Sequence, residues 1–481
     1  MRQVSSRRSD AGKPRKRSAP SNPLAGFWRS FAMVSILATA VPMTVYILIA
    51  RSHPGFLPGL LYVTATVYGI TNVMVMWEAV SALRAVPKPP VDLSDPPMCS
   101  AIIAAYLPNE QHIIEQTIDH MLKTIDLPAD RFEVILAYNR PKELPVEDRL
   151  RELAARDPRL KVLCVVDSRS KAANVNAALT VARGEILGIY DADHWPAADC
   201  FRRAWRWISS GYDVVQGRCA IRNHDENVLT RSIAVEFDIM YSVSHQGRSR
   251  ISRSGIFGGS NGYWRAETLR SVQLDPQMLT EDIDSTVRAI QRGAKFIHDR
   301  DIVSVELAPT RLSHWLIQRK RWSQGWLEVT LKHHRGMMAS PHLTIHQKIL
   351  WFYLLPWREW FPVLSTQFFP MLFASWIVGQ HLHWFATPYL RAAATLNLLC
   401  SLFVLLIAFV TATRLGRKGH APWYIVHGVF GLVYSTLKTT VTLVAQYCHL
   451  IRDREWVTTP REDPPPAPTA APADRISSFS S

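Results

Sequence analysis

The sequence predicts an α/β domain with a mostly parallel sheet, inserted between two groups of transmembrane helices. Three observations favour this fold class. Apolar runs of membrane-spanning length lie near both ends of the 481-residue chain. Mixed polar sequence, at residues 85–340, separates these runs. Within it, short apolar runs alternate with helical patterns, which is typical of a parallel sheet covered by helices.

Two apolar runs, 31–50 and 56–80, form the first membrane group, which we place at 27–82. Basic residues precede the first run, as they do in a signal peptide. No clear small-residue cleavage site follows and the second run begins almost at once, so we expect two uncleaved transmembrane helices. The second membrane group is expected at 345–450. It contains three apolar tracts, at 349–378, 388–412 and 422–450.

The placement of charge indicates a membrane protein. The chain carries a formal net charge of +15, and its basic residues lie beside the apolar runs, which marks the cytoplasmic side. The aromatic and basic pattern of a nucleic-acid-binding module is missing, so we expect no nucleic acid partner. We expect an integral protein of the plasma (inner) membrane, in contact with the lipid bilayer, with its large insert in the cytoplasm.

The composition also allows predictions for the two ends of the chain and for the cysteines. The segments 1–26 and 464–481 are rich in polar, basic or Pro/Ala/Ser residues and are predicted to be disordered. The six cysteines have neither paired nor metal-like spacing, so they are expected to be reduced core residues.

The insert is placed at 95–335, with interfacial helices at its end. It opens with an apolar run at 98–106 that predicts a strand, and a helical pattern follows through 113–123. Further strands are predicted at 132–138, 160–167, 184–191 and 212–221, and further helices at 171–183 and 197–209. Gly184 follows the Ala-rich helix at the position where glycine commonly ends a helix.

Two carboxylates, Asp191 and Asp193, come at the end of the fourth strand. Ligands of open α/β sheets bind just outside the carboxyl ends of the strands. Alternate residues of an extended segment point the same way, so both side chains can face one ligand. Carboxylate oxygens suit Mg²⁺ or Mn²⁺ bound to phosphate groups. A polar strand end in a solvated loop is the alternative.

A second pair of acids, Glu281 and Asp282, follows Thr280 at the start of a helical pattern. Thr at the N-cap with acids in the first turn stabilises any helix, which is the structural explanation. The functional explanation is that one carboxylate removes a proton from an attacking hydroxyl group.

Gln318, Arg321 and Trp322 share one face of a helical stretch that begins near Leu312. An amide, a guanidinium and an indole on one face can hold a pyrophosphate and stack on a sugar ring. A basic amphipathic helix on the bilayer surface is the alternative.

Four motifs follow one another between about residues 98 and 330. They are Asp191-Ala-Asp193, Phe257-Gly-Gly-Ser-Asn-Gly-Tyr-Trp-Arg265, Thr280-Glu-Asp282 and Gln318-Arg-Lys-Arg-Trp322. Their order resembles the family 2 glycosyltransferases of the cellulose, chitin and hyaluronan synthase type. The resemblance implies a GT-A fold, inverting transfer of a sugar from a nucleotide-sugar donor, and Mg²⁺ or Mn²⁺ as cofactor.

The resemblance also implies a role for each matching residue. The general base is Asp282. Nucleotide-sugar binding is implied for Tyr106, Glu110, Asn139, Lys171 and Asp191. A divalent metal ion is implied for Asp193 and Asp191. Contact with the acceptor or the diphosphate is implied for Glu281, Gln318, Arg321 and Trp322.

The chain departs from the family pattern at three places near the donor. Leu107-Pro108 interrupts the family's Ala-Tyr-Asn-Glu between Tyr106 and Glu110. Where the family has Asp-Asp-Gly, the chain reads Ala137-Tyr-Asn-Arg-Pro141. The nucleotide base would therefore be recognised by Tyr138, which can stack, or Asn139, which can accept a hydrogen bond. In the Ala-rich helix, Asn174 replaces an alanine of the family's Lys-Ala-x-Ala-Leu-Asn segment, and Asn176 matches its last residue. A UDP-sugar is the expected donor and a GDP-sugar the alternative.

A candidate gating loop is placed at 451–463. Trp456-Val-Thr-Thr-Pro-Arg461 resembles a gating loop of cellulose synthases, with Thr459 and Arg461 in matching places. A basic juxtamembrane segment is the alternative. Crossing by all three C-terminal tracts would place the loop opposite the insert. Prolines interrupt the tract 349–378, so this tract is the one expected not to cross.

The resemblance favours a membrane polysaccharide synthase. Transfer of a single sugar to a lipid acceptor is the alternative, because the Gln-x-x-Arg-Trp pattern also occurs in family members that make glycolipids. A non-catalytic scaffold is a third hypothesis, disfavoured because Asp193, Asp282 and Trp322 are all present. The sequence gives no oligomeric state.

Overall fold

The computed structural model describes residues 23–84, 86–89, 96–383, 386–414 and 421–453. Thr459 and Arg461 of the candidate gating loop lie outside the described residues. Most of the two predicted disordered tails also lies outside them.

One mixed sheet forms the centre of the insert. Its strands within the described residues are β1 Cys99–Tyr106, β2 Phe132–Asn139, β3 Leu160–Cys164, β4 Ile186–Asp191, β5 Trp195–Pro196, β6 Val214–Ile221, β7 Gly262–Arg265 and β8 Phe296–Glu306. The strand order is β3-β2-β1-β4-β7-β6-β8-β5. β5 and β7 run antiparallel to their neighbours, and the other pairings are parallel. The predicted α/β fold class is therefore confirmed.

Helices cover both faces of the sheet and flank the insert. At the N-terminal side lie α1 Pro23–Ser35, α2 Val41–Ser52 and α3 Phe56–Ala82, with a π-helical turn Ile36–Ala40 between the first two. The insert contains α4 Leu107–Glu110, α5 Ile114–Thr124, α6 Val146–Arg156, α7 Lys171–Leu179, α8 Cys200–Ile208, α9 Val228–Phe237, α10 Gln246–Ser252, α11 Ala266–Val272, α12 Glu281–Gln291 and α13 Leu312–Ala339. The C-terminal helices are α14 Ile345–Phe352, α15 Arg358–Thr366, α16 Phe368–Ile377, α17 Pro388–Arg414 and α18 Ala421–Leu450. Shorter helical segments are the 3₁₀ turn Ala129–Arg131 and the π-helical segments Asp238–His245 and Tyr353–Trp357.

The central strands are buried on both faces of the sheet. Successive residues of such a strand point to opposite faces, and here the residues on both faces are apolar. On β1, Ile102 faces the layer that contains α7, α11 and α12, whereas Ile103 faces the layer of α5 and α8. This two-sided burial explains why the strands read as continuous apolar runs in the sequence. The parallel pairing of β1 with β2 and with β4 places the carboxyl ends of these three strands along one edge of the sheet.

Four helices among the described residues are long and apolar enough to cross a membrane. They are Ala25–Ser52, Phe56–Ala82, Pro388–Thr411 and Pro422–Leu450. These helices flank the insert in chain order, as the sequence predicts. The tract 349–378 is not one of them. It is described as several short helical segments, and Pro356 and Pro362 lie inside two of these.

The divided tract nevertheless follows α3 along its length. Trp357 donates a hydrogen bond from Nε1 to Oγ1 of Thr71, 3.0 Å away. Further along, Met371 packs against Leu57 and Leu61 at the other end of α3. The segments Tyr353–Trp357, α15 and α16 therefore lie end to end, antiparallel to α3.

α18 instead follows α13, the last helix of the insert. The rings of Tyr434 and Trp315 are 5.4 Å apart, and the hydroxyl oxygens of Thr442 and Ser323 are 3.3 Å apart. Just past α18, the carbonyl of Asp453 accepts a hydrogen bond from Gln324. The two helices run parallel, and the chain leaves α18 beside the insert.

Candidate active site

A cleft of about 730 Å³ lies at the carboxyl edge of the sheet. It brings together eleven of the sequence-predicted site residues. These are Tyr106, Glu110, Asn139, Lys171, Asp191, Asp193, Glu281, Asp282, Gln318, Arg321 and Trp322. They come from six separate stretches of the chain, and the fold alone makes them neighbours.

The ends of three adjacent strands form one wall of the cleft. Tyr106 at the end of β1 is paired in register with Asn139 at the end of β2, and Ala104 of β1 is paired with Asp191 of β4. Glu110 accepts a hydrogen bond from the backbone N–H of Tyr106, with an N···O distance of 2.7 Å. Glu110 thereby closes the turn between β1 and the helix that follows it.

Lys171 and Asp191 form an ion pair in this wall, with 2.5 Å between Nζ and Oδ1. Lys171 also donates to the carbonyl of Gly259, 2.6 Å away. Burial alone would lower the pKa of Lys171, but the charges of Asp191 and Glu281 raise it, so the ammonium group stays protonated. The pair places one fixed positive charge where a diphosphate could bind.

Asp193 lies deeper in the cleft than Asp191. Its residue is 1% exposed, and its Oδ2 accepts a hydrogen bond of 2.9 Å from the backbone N–H of Leu307. The next residue, His194, is buried and pairs through Nε2 with Glu306 at 2.5 Å. Two carboxylates lining one cleft form an oxygen donor set that fits Mg²⁺ or Mn²⁺.

Asp282 and the Lys171–Asp191 pair approach each other beside Gly259. A Cβ atom added to Gly259 would lie 2.9 Å from Oδ2 of Asp282 and 3.6 Å from Nζ of Lys171. Gly259 has a φ of +90°, which side chains other than glycine rarely adopt. The absence of a side chain at Gly259 therefore leaves room for the two charged groups to lie close together.

Asp282 binds protons more tightly than an ordinary aspartate. Burial first, and then the charge of Glu281, raise its pKa to about 7, although Lys171 opposes the shift. Near neutral pH the carboxyl group is therefore divided between its protonated and ionised forms, which suits a general base.

The start of α12, which carries these two acids, is fixed by α13. Asp284 accepts a hydrogen bond from Nε2 of His333 at 2.8 Å and pairs with Lys332 at 3.0 Å. Burial would raise the pKa of Asp284, but His333, Arg288 and Lys332 together hold it well below its usual range. Asp284 is therefore an anchor of the helix and does not line the cleft.

α13 carries Gln318, Arg321 and Trp322 on the opposite wall. Behind them, the guanidinium of Arg319 lies 4.3 Å from the ring centroid of Trp322 and donates to Glu236 at 2.8 Å. Glu236 is buried, but the charges of Arg319 and of Lys438 on α18 lower its pKa to about 2. An ionic cluster around the buried Glu236 therefore connects this wall to the last apolar helix.

Residues 186–415 match the family described as Glycosyl transferase family group 2, and residues 100–267 match Glycosyl transferase family 2. The chain is a family 2 glycosyltransferase. Its predicted family membership and its predicted enzyme class are therefore confirmed. Both matches include Asp191 and Asp193, and the first also includes Asp282 and the Gln318–Trp322 motif.

Two curated proteins that are similar to this chain are named for different products, a glycolipid and a polysaccharide. The glycosyltransferase is 27% identical over 329 residues to beta-monoglucosyldiacylglycerol synthase of Synechocystis sp. (strain ATCC 27184 / PCC 6803 / Kazusa), covering 62% of this chain and 67% of the relative. It is 27% identical over 168 residues to glucomannan 4-beta-mannosyltransferase 1 of Oryza sativa subsp. japonica. That match covers 34% of this chain and 32% of the plant enzyme, so the chain aligns with about a third of its length.

The fold also occurs in a solved structure. The mannosyltransferase PcManGT from Pyrobaculum calidifontis, in complex with GDP-Man and Mn²⁺, superposes with a TM-score of 0.51 at 22% sequence identity. The superposition covers 82% of this glycosyltransferase and 100% of the other chain. The predicted GT-A fold is thereby confirmed.

Two residues singled out near the donor do not line the cleft. Tyr138 is buried in the layer beneath the sheet and donates a hydrogen bond from its hydroxyl to Glu147, 2.7 Å away. The interpretation that Tyr138 stacks on the nucleotide base is therefore wrong, because alternate residues of a strand face opposite sides. Asn176 is fastened to the backbone of Leu274 at 2.8 and 2.9 Å, away from the site.

Sequence reasoning missed the residue that shapes the Gly258–Asn261 loop of the glycosyltransferase. Gln216 is fully buried on β6, accepts from the N–H of Gly258 at 2.8 Å and donates to the carbonyl of Ser260 at 3.0 Å. The sequence does contain an indication of this role, because an amide inside an apolar strand is expected to be buried and to need hydrogen-bond partners. Glu236, the single acid of an apolar helix, is a similar indication of a buried group with partners.

Proposed function

We propose that this glycosyltransferase moves a sugar, with inversion, from a nucleotide-sugar to a growing polysaccharide at a membrane. The observation that carries this proposal is the group of charges beside Gly259. The Lys171–Asp191 pair and Asp282 lie next to that residue within one cleft. A cation that can hold a leaving diphosphate is therefore close to a carboxylate that can accept a proton from an attacking hydroxyl.

In this proposal the diphosphate of the donor lies between the two walls of the cleft. Asp193 and Asp191 would hold a Mg²⁺ or Mn²⁺ ion, which, when bound, supplies positive charge to the leaving diphosphate. Lys171 contributes its fixed charge from one wall, and Arg321 and Gln318 donate hydrogen bonds from the other. These donors are prearranged, so they stabilise charge as it develops.

Asp282 accepts the proton of the acceptor hydroxyl as the new glycosidic bond forms at the anomeric carbon. The bond to the diphosphate breaks on the opposite face, which inverts the configuration. A base with a pKa near neutrality is effective at physiological pH. Glu281 tunes that pKa, and Trp322 offers its ring as a stacking surface for the acceptor sugar.

We place the protein in the plasma (inner) membrane with its catalytic domain in the cytoplasm. Nucleotide-sugars are cytoplasmic, and basic residues flank the apolar helices on the domain side, as positively charged loops do inside the cell. The four apolar helices support insertion into the bilayer.

Transfer of a single sugar to a lipid is a second candidate function. The observation in its favour is the match to the diacylglycerol glucosyltransferase, which extends over more of this chain than the match to the plant mannosyltransferase. Sizing of radiolabelled product separates the two functions. A ladder or a long polymer supports the polysaccharide, and a product with one sugar in the lipid fraction refutes it.

The catalytic assignment is tested by release of nucleoside diphosphate from a panel of UDP- and GDP-sugars with Mn²⁺ or Mg²⁺. The Asp282→Asn variant should lose about 10²–10⁴-fold in turnover and still bind donor, because the amide keeps the shape but cannot accept the proton. Unchanged turnover would exclude Asp282 as the base.

The proposed metal site has its own prediction. The Asp193→Ala variant should bind the donor more weakly in the presence of Mn²⁺ and should lose most of the difference between Mn²⁺ and chelator. Binding of a labelled nucleoside diphosphate with and without chelator measures this difference. A variant that keeps the full response to metal would place the ion elsewhere.

A further inference from the structure

Glu236 is a buried carboxylate that accepts hydrogen bonds from two other helices. It lies near the end of α9 and is 8% exposed. Its Oε2 accepts from Nη2 of Arg319 on α13 at 2.8 Å and from the hydroxyl of Tyr434 on α18 at 2.6 Å. Its Oε1 accepts from Nζ of Lys438, also on α18, at 2.5 Å. Both carboxylate oxygens are therefore in use, and together they hold the end of the Arg319 side chain in one place.

The guanidinium of Arg319 lies among three aromatic rings. Its central carbon is 4.3 Å from the ring centroid of Trp322, 5.7 Å from that of Trp315 and 5.9 Å from that of Phe237. All three distances are in the range of cation–π contacts, and the shortest is to Trp322. Trp322 lines the cleft, whereas Arg319 is only 6% exposed. The guanidinium therefore packs against the indole from the side that faces away from the cleft.

Stability alone does not explain the Glu236–Arg319 pair. Taking two charges out of water costs free energy, and apolar residues often replace a buried ion pair without loss of stability. Nε of Arg319 is buried and has no hydrogen-bond partner among the described residues, which adds to the cost. The surrounding cluster is apolar and contains Phe237 and Trp315, so it could accommodate a methionine at position 319. The pair is better explained by the position that it gives to Trp322.

We propose that Glu236 is a positioning residue for the acceptor: through Arg319 it holds the indole of Trp322 in the orientation that stacks on the acceptor sugar. The guanidinium, fixed by the carboxylate, occupies the space into which the indole would otherwise turn. A ring that is already held in place loses less conformational freedom when the acceptor binds. This inference rests on the proposed function, which gives Trp322 its role as a stacking surface.

The expected consequence is a change in the fate of the donor sugar. An acceptor hydroxyl held beside Asp282 attacks the anomeric carbon before water does, whereas a loosely held acceptor leaves that carbon open to water. Either attack forms one bond at the anomeric carbon, breaks the bond to the diphosphate and releases one proton. Transfer leaves the sugar in a glycoside and hydrolysis leaves it free. The ratio of incorporated to free sugar therefore reports the position of the acceptor separately from the binding of the donor.

The test uses the full-length protein in membrane vesicles, with Mn²⁺ and the radiolabelled nucleotide-sugar that gives the fastest release of nucleoside diphosphate. In the Arg319→Met variant, which removes the charged plane, the ratio of incorporated to free sugar should fall about tenfold, the size of one aromatic contact. The Glu236→Gln variant should lower the ratio in the same direction, because a neutral amide holds the guanidinium less firmly. Binding of a labelled nucleoside diphosphate should stay unchanged in both variants.

Two further variants separate positioning from stability. The double variant Glu236→Gln/Arg319→Met should have the same ratio as Arg319→Met alone, because Glu236 acts through Arg319. Arg248→Met is the matched control, since Arg248 donates to the buried Glu78 at 2.7 Å and neither residue lines the cleft. It should lower the temperature of thermal unfolding as Arg319→Met does, and its ratio should equal that of the wild type.

Each result has a distinct meaning. Absence of incorporated sugar with the wild type would overturn the proposed function itself. A wild-type ratio in Arg319→Met, an equal fall in Arg248→Met, or additive effects in the double variant would overturn the positioning role and leave the proposed function intact. If Arg319→Met does not fold, Arg319→Lys gives the same test, because its ammonium keeps the charge beside Glu236 but lacks the plane that stacks on Trp322.

Discussion

At the scale of single residues, Glu281 controls how tightly Asp282 holds its proton. Its negative charge, together with burial, raises the pKa of Asp282 to about 7. A general base acts only when ionised, so turnover should rise as the pH rises through this value. The Glu281→Gln variant removes one charge and lowers the pKa of Asp282. Its acidic limb in the pH profile of kcat/KM should move to lower pH.

Initial rates of nucleoside diphosphate release, measured on both sides of neutrality, give this profile. Asp275→Asn is the matched control, because Asp275 lies on the preceding loop and pairs with Lys332, away from Asp282. Its profile should coincide with that of the wild type. A Glu281→Gln profile that also coincides would show that Glu281 does not tune the base.

At the scale of helices, Gly325 sets the distance between α13 and the start of α12. A Cβ atom at Gly325 would clash with the side chain of Thr280, at 2.7 Å from its Oγ1. The Gly325→Ala variant should therefore push Asp282 out of place. We expect a loss of about 1–3 kcal/mol in the free energy of unfolding and a larger fractional loss of kcat than of donor affinity.

The same helix provides a matched control in Gly336. Its added Cβ would lie 2.6 Å from Nε2 of Gln291, the mobile end of a flexible side chain. The Gly336→Ala variant should be neutral or gain about 1 kcal/mol from helix propensity. Thermal unfolding and transfer assays on both variants make the comparison. Equal effects of the two substitutions would mean that the contact with Thr280 has no special role.

The sequence predicts most elements because each has a local cause. Apolar runs predict β1, β2 and β4, and the motif at Gln318–Trp322 lies on a helix as expected. What it does not predict depends on contacts between distant segments. The direction of β7 follows from its pairing with β4, and the inward orientation of Tyr138 follows from its strand register. The cleft residues are predictable through motif order, whereas Gln216 and Glu236 act through partners that no local pattern reveals.

At the scale of the whole molecule, the helix contacts reverse the expected membrane path of the C-terminal region. The divided tract 349–378 accompanies α3 from Thr71 to Leu57, although its prolines suggested that it would not cross. α18 is apolar enough to span, yet it runs beside α13 of the insert. We therefore expect the divided tract to cross the membrane and α18 to lie on the domain side.

Single-cysteine labelling with a membrane-impermeant thiol reagent distinguishes this path from the alternatives. Ser52→Cys, between α2 and α3, is the external control and should react in intact cells, as should His381→Cys, which follows α16. Ser478→Cys should react only after permeabilisation. A protected His381→Cys would mean that the divided tract does not cross, and external labelling of Ser478→Cys would mean that α18 does. Only the expected labelling pattern places the chain that follows Asp453 on the same side of the membrane as the cleft. In that pattern α17 is a full crossing that returns from the outside.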